Sequence, residues 1–236
     1  MFYKINKTQE RIDPNLSFFL KAKIDPDSDE GFWCEVFTRL NKKGFFVDRF
    51  SFKEATLKRG DPKRGLISVV TYGGVLRLNK TYKRKGIVSE GLNVFYANDR
   101  KRDTNFAFNL LKNYFDIIEL VLHNQKVKKD NLTPREIGAL IRLLRHFVLT
   151  DKKWLEILGQ AEDITKSQQK EHKDTVKHLE RILKHIPFKD AIALDYPTSN
   201  WAAVEGYIFG KINKRRPTFG NKNLLSKKGL EIFKEI

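Results

Sequence analysis

The hydrophobic pattern of this chain changes near residue 103, and that change constrains the fold more than any other feature of the sequence. Before this point, apolar and polar residues tend to alternate, with the two-residue period that is typical of strands. After it, apolar residues such as Phe106, Leu110 and Tyr114 recur at intervals of three and four, which is typical of a helix. The pattern therefore predicts β structure first and helices afterwards.

The first part of the chain is predicted to open with a β-hairpin. Residues 32–40 and 45–52 flank a short turn that ends at Gly44, and glycine at the end of such a turn favours a tight connection between two strands. The further strands predicted before residue 103 are 66–72, 75–78, 81–88 and 92–97. Residues 191–194 and 202–209 are predicted to be strands that follow the helices.

The middle of the chain predicts several helices. Residues 104–123 are expected to form a largely buried helix. Thr133 and Glu136 have the spacing of a capping box, with Pro134 at the first position of the helix that follows. A later amphipathic helix is expected to end at Pro187, and residues 224–236 to form a closing helix.

This order of elements favours an α+β fold. We expect a curved, antiparallel β-sheet built from N-terminal and C-terminal strands, with a central helical segment. The 236 residues suit a single domain. Its parts are a β-rich basic half (1–103), a helical core (104–188) and returning strands with a closing helix (189–236).

Positive charge dominates the composition. The chain has 46 Lys and Arg residues against 29 Asp and Glu, a formal net charge of +17. Repulsion among so many like charges destabilises a compact protein and favours a polyanionic partner. Cys34 is the only cysteine, which excludes an intrachain disulfide and a cysteine-built zinc site. No apolar run approaches the roughly 18 residues of a membrane span, so a cytoplasmic location without membrane insertion is expected.

The positive charge is unevenly distributed along the sequence. Residues 51–103 have 13 basic and 5 acidic residues, whereas 104–188 have 15 and 11. Basic loops of this kind can contact phosphates, which predicts a nucleic acid as the partner, with double-stranded DNA favoured and a homodimer as the expected assembly. The residues predicted to bind it are Arg59, Lys63, Arg64, Arg77, Lys80, Lys83, Arg84, Lys85, Arg100, Lys101, Arg102, Lys214, Arg215 and Arg216.

Two types of chemistry on DNA remain open. Asp195, Glu205 and Lys211 supply the two carboxylates and the lysine that a metal-dependent nuclease needs to hold Mg²⁺ and to stabilise the attacked phosphate. Base excision would need no cofactor. Tyr72 beside two glycines could stack on a flipped base, with Lys152, Lys153 or Asp195 acting at the sugar.

The leading hypothesis is a nucleic-acid-binding protein that processes double-stranded DNA, as a nuclease or glycosylase of restriction or repair type. One alternative is a DNA-binding regulator or replication accessory protein without catalytic activity. Another is a basic interaction protein that binds an acidic partner. The sequence leaves open whether the chain is an enzyme, and it does not identify a metal site.

Overall fold

A computed structural model describes residues 14–51, 67–68, 103–150, 152–195, 201–215 and 227–235 of the protein. Most of these residues are helical. In chain order the helices are α1 (Pro14–Ile24), α2 (Asp29–Leu40), α3 (Thr104–Asn124), α4 (Pro134–Thr150), α5 (Lys152–Gln160), α6 (Lys170–Leu183), α7 (Phe188–Ala193), α8 (Trp201–Arg215) and α9 (Lys227–Glu235). A 3-10 turn, Lys129–Asn131, precedes α4.

The predicted α+β fold with an antiparallel sheet is wrong. Within the described ranges, the sheet consists of β1 (Phe50–Ser51) and β2 (Ile67–Ser68), which pair in parallel with Phe50 opposite Ile67. Two strands of two residues cannot bury a hydrophobic face, so helices form the core in their place. The strands predicted at 75–78, 81–88 and 92–97 lie outside the described residues.

The first strand of the predicted hairpin is helix α2. Ser28 caps this helix, because its Oγ accepts a hydrogen bond of 3.0 Å from the backbone N–H of Gly31. Phe32, Val36 and Leu40 recur at four-residue intervals and are buried, which is the periodicity of a helix that packs along one side. The apolar cluster at 32–37 therefore indicated burial correctly and secondary structure incorrectly.

The two strands predicted near the C-terminus are also helical. Residues 191–193 belong to α7, and residues 202–209 belong to α8. Val204, Ile208 and Ile212 lie on one face of α8 at four-residue intervals, and all three are buried. A strand of residues 202–209 would also place Val204 and Ile208 on one face, but it would end before Ile212, the third buried residue of the row in the helix that packs against α4.

Helix α3 confirms the predicted helix at 104–123 and is the central element of the core. Asp103 caps it by accepting hydrogen bonds from the backbone N–H groups of Asn105 and Phe106, at 2.9 and 3.0 Å. The helix packs against α2, α5 and α6. The hydroxyl of Tyr114 donates a hydrogen bond of 3.0 Å to the carbonyl of Leu140 in α4, and burial raises the pKa of Tyr114 well above its ordinary value.

Polar side chains fix the ends of neighbouring helices to α3. The amide of Asn113 donates to the carbonyls of Leu158 and Ala161, at 2.8 and 2.6 Å, where α5 ends. Just beyond α3, the amide of Gln125 donates to the carbonyl of Ile186 at 2.8 Å and accepts from the N–H of Phe188 at 3.2 Å. These bonds satisfy backbone groups at helix ends and fix how α5, α6 and α7 meet α3.

The capping box predicted at the start of α4 is confirmed. The side chain of Glu136 accepts a hydrogen bond of 2.8 Å from the N–H of Thr133, and the Thr133 hydroxyl accepts one of 3.3 Å from the N–H of Arg135. Arg135 also donates to the carbonyls of Ile192 and Leu194 at 3.1 and 2.9 Å, which joins the start of α4 to the end of α7. The closing helix predicted at 224–236 is confirmed over Lys227–Glu235.

No helix in the described ranges is both long and apolar enough to cross a membrane.

Candidate nucleic-acid interface

Two of the residues predicted to bind nucleic acid lie in the described part of the chain. Lys214 and Arg215 occupy the last turn of α8, where both are exposed. Cations in this position also interact favourably with the carbonyl end of the helix dipole. The other twelve predicted binding residues and Tyr72 lie outside the described residues.

Most of the net positive charge of the chain lies in sequence segments other than the described helices. Residues 52–102 have 13 basic and 4 acidic residues, a net charge of +9. The α1–α2 hairpin with its following turn, residues 14–51, has six basic and six acidic residues. All described residues together have 28 basic and 22 acidic residues, a net charge of +6. Most of the net charge of +17 therefore belongs to sequence outside the described helices.

Glu205, one of the predicted catalytic residues, is buried between two helices. Its Oε1 lies 2.9 Å from Nε of Arg142 in α4, and each side chain is 3% exposed. The ring of His146, one turn further along α4, meets the ring of Phe209 edge-on at 4.9 Å. The Arg142 guanidinium balances the charge of this carboxylate, and the two groups join α4 to α8.

The other two predicted catalytic residues in the described ranges lie nearer the surface. Asp195 is exposed and follows α7 by two residues. Nζ of Lys211 lies 5.1 Å from the ring centroid of Tyr207, one turn before it on α8. Burial, with a contribution from the charge of Asp190, raises the pKa of Tyr207.

The described residues contain no group of three or more His, Cys, Asp or Glu side chains placed to hold a metal ion. A Mg²⁺ site built on Asp195 and Glu205 therefore stays a prediction, as does a base-excision site that includes Tyr72.

Counts of basic and acidic residues in each segment did not reveal a basic surface on α6. Five exposed cations lie on one side of this helix and its C-terminal cap, and we call them the α6 basic face. They are Lys170, Lys173, Lys177, Arg181 and Lys184. Their intervals of three, four, four and three residues keep them within about 80° of arc, because successive helical residues are about 100° apart. Leu179 and Ile182 lie on the opposite side and are buried.

A groove runs beside the α6 basic face. It lies between α3 and α6 and has a volume of about 450 Å³, within the range of small-ligand sites. The residues that line it are Val121, Asn124, Gln125, Lys177, Glu180, Arg181 and Lys184. Three of these seven side chains are cations and one is a carboxylate, so the groove is suited to an anion more than to a cation.

Comparison with known protein families, with curated protein sequences and with solved structures gives no match to this chain.

Proposed function

We propose that the protein binds a nucleic acid, with double-stranded DNA as the favoured partner, through contacts between its basic residues and phosphates. The observation that supports this proposal is the concentration of 13 basic and only 4 acidic residues in 52–102, whereas all the residues that the structure describes have 28 basic and 22 acidic residues. A merely soluble surface needs no such separation, because interspersed charges of both signs keep a protein in solution.

The composition of these clusters suits the phosphates and base edges of a nucleic acid. Arg84, Arg100 and Arg102 lie next to lysines, and the guanidinium group presents several N–H donors in a planar fork that matches phosphate oxygens and guanine edges. The same fork pairs with carboxylates, so the dependence of binding on salt is what separates a nucleic acid from an acidic protein partner. Binding through phosphates should weaken steeply as salt increases, because counterions are released when the complex forms.

A salt titration tests the proposal. The affinity of the full-length protein for a fluorescein-labelled 20-base-pair duplex would be measured by fluorescence anisotropy between 50 and 200 mM NaCl. The variant Arg100→Gln/Lys101→Gln/Arg102→Gln should lower the magnitude of the slope of log affinity against log salt by up to about 2.7, at about 0.9 for each phosphate contact. Absence of binding at 50 mM salt would refute the proposal.

Lys21→Gln/Lys42→Gln/Lys43→Gln is the matched control. All three lysines are exposed and belong to the segment with six basic and six acidic residues. The control removes the same formal charge as the test variant. If it lowers the slope equally, the contribution of 100–102 is one of net charge and not of location.

DNA processing remains a hypothesis within this proposal. Supercoiled plasmid incubated with the protein would show Mg²⁺-dependent fragments if Asp195 and Glu205 act as a nuclease, and alkali-labile breaks in EDTA if bases are excised. Intact, retarded plasmid would favour a regulator or replication accessory protein.

The proposed homodimer is tested by light scattering with and without duplex, and a monomeric mass in both samples would refute it.

A further inference from the structure

We propose that the α6 basic face is a second phosphate-binding surface, which lies along the backbone of the same nucleic acid that the basic segment 52–102 contacts. This inference rests on the proposed nucleic-acid binding. It adds a surface whose position is set by the fold and whose residues were not predicted from the sequence.

The geometry of α6 produces a straight row of cations. From Lys170 to Lys184 the helix advances about 21 Å, at about 1.5 Å per residue. A DNA duplex has one phosphate charge for each 1.7 Å of its axis, so about 12 phosphates occupy the same length. The phosphates on the side of the duplex that faces α6 are within reach of the five cations when the duplex lies along the helix.

The charges of this row are available to an external anion. None of the five side chains forms an ion pair with another residue in the described ranges. Lys173 donates a hydrogen bond of 2.7 Å to the neutral side chain of Gln168. The nearby carboxylate of Glu171 lies 3.4 Å from Lys153 of α5, so its charge is partly balanced by a cation outside the row. Asp174 borders the row as an exposed acidic residue.

The core holds the row in place. Leu179, Ile182 and Leu183 of α6 are fully buried against the neighbouring helices. At the C-terminal end, the amide of Gln125 donates to the carbonyl of Lys184 at 3.3 Å and to that of Ile186 at 2.8 Å. These contacts involve backbone carbonyls, so the side chain of Lys184 can be replaced without removing them. Because the backbone of α6 is already ordered, binding does not have to order it, which lowers the entropic cost of the complex.

The surroundings of the row favour a linear polyanion over a lipid surface. A helix that lies on a membrane presents large apolar residues to the bilayer beside its cations. The apolar residues of α6 point into the core, and the part of the chain that the structure describes has no exposed large apolar residue on this helix. The adjacent groove adds the amide of Asn124, a group that can hydrogen-bond to a phosphate or sugar oxygen.

The test compares two variants that differ only in where charge is removed. Lys177→Gln/Arg181→Gln/Lys184→Gln removes three cations of the α6 basic face, and Lys21→Gln/Lys42→Gln/Lys43→Gln removes three from the N-terminal hairpin. The fall in affinity for the labelled 20-base-pair duplex between 50 and 200 mM NaCl would be measured for both and for the unmodified protein. Three lost phosphate contacts should make that fall about 40-fold smaller for the α6 variant, with little change for the control.

The outcomes distinguish this inference from the proposed function. If the unmodified protein does not bind the duplex, both proposals are refuted. If it binds and the α6 variant matches the hairpin control, only this inference is overturned. Unchanged far-ultraviolet circular dichroism shows that the α6 variant is folded. Binding to vesicles that contain about 30% phosphatidylserine would be measured as well. If the α6 variant loses vesicle binding but binds the duplex like the unmodified protein, the surface belongs to a membrane contact and the inference is overturned.

Discussion

Nε of Arg142 and Oε1 of Glu205 lie 2.9 Å apart between α4 and α8, and both side chains are almost completely removed from solvent. Two charges at this depth lose their hydration, and their mutual attraction offsets much of that cost. Loss of one partner would leave the other as a buried charge. The pair therefore makes Glu205 a residue on which the packing of the two helices depends, in addition to the catalytic role predicted for it.

We expect Glu205→Ala to lower the free energy of unfolding by about 3 to 5 kcal/mol, because it leaves the Arg142 charge buried. The double variant Arg142→Met/Glu205→Leu should recover most of that loss, since both charges are then absent. Urea unfolding followed by circular dichroism measures both. A loss below about 1 kcal/mol would contradict the structural role. A Glu205→Gln variant that stays folded at the assay temperature but no longer cleaves DNA would support the catalytic one.

Asn113 offers a second measure of how the core is built. Its side chain makes hydrogen bonds to Leu158, Ala161 and Ile164, all in or just after α5. Asn113→Leu leaves these three backbone groups without that partner in a buried site, and at about 1 kcal/mol or more each the loss should be about 3 kcal/mol. Asn105→Ala, at an exposed position on the same helix, is the control and should change stability by less than about 1 kcal/mol.

Asp163 predicts a dependence of stability on acid pH. Burial acts to raise its pKa, but a hydrogen bond from Thr165 and the charges of Lys112 and Lys166 outweigh burial and hold the pKa below its ordinary value of 3.8. The resulting stabilisation is present above pH 3.8 and is lost as pH falls through the lowered pKa of the folded state. Asp163→Asn should therefore reduce stability at pH 7 and flatten the decline below pH 4.

Urea titrations at several pH values would test this prediction. Lys112 keeps its other carboxylate partner in the Asp163→Asn variant, because it also pairs with Asp116 at 2.7 Å. If the free energy of unfolding of the variant falls below pH 4 as steeply as that of the unmodified protein, other carboxylates cause the loss of stability in acid.

Gly206 allows α8 and α9 to approach closely. A Cβ atom at this position would overlap the backbone carbonyl of Gly229 in α9, and a backbone cannot move aside as a flexible side chain can. We expect Gly206→Ala to displace α9, with a loss of about 1 to 3 kcal/mol from overpacking and faster amide exchange over 227–235. Exchange in α3 should stay unchanged in the same sample. Equal protection of 227–235 in both proteins would refute the prediction.

The sequence predicted α3, α4 and α9 and failed where a short apolar run has an ambiguous period. Helix α3 has an uninterrupted apolar period and a capping Asp103, and α4 has a capping box, so each was identified from its own residues. Residues 32–40 and 202–209 are short apolar runs whose period is ambiguous, and packing against α3 and α4 decided their structure. Aromatic and β-branched residues such as Trp33 and Val204 favour strands locally, but tertiary contacts override that preference.

The candidate interface shows a different failure. Residues 104–188 have 15 basic and 11 acidic residues, and a total this close to balance gave no reason to expect a basic surface there. The charges of α6 are nevertheless divided between different sides of the helix. The cations lie in one row, and the acidic residues lie mainly at the edges of that row. The intervals from Lys170 to Lys184 could have revealed this row once the helix was placed, since three- and four-residue spacing keeps side chains on one face. The same reasoning does not apply to the basic residues of segment 52–102, because it needs a helix on which to place them.

The C-terminal end of α2 contacts both places where the described chain borders the segment 52–102. Asn41 accepts a hydrogen bond of 2.7 Å from the N–H of Phe50, and Arg39 donates one of 2.7 Å to Asn105 at the start of α3. Entry and exit of this segment are thus fixed to one corner of the helical body. Insertions or deletions between these two points therefore preserve this arrangement only if they also keep β2 (Ile67–Ser68) paired with β1 (Phe50–Ser51), so the segment can vary in length more freely between 69 and 102 than around its strand.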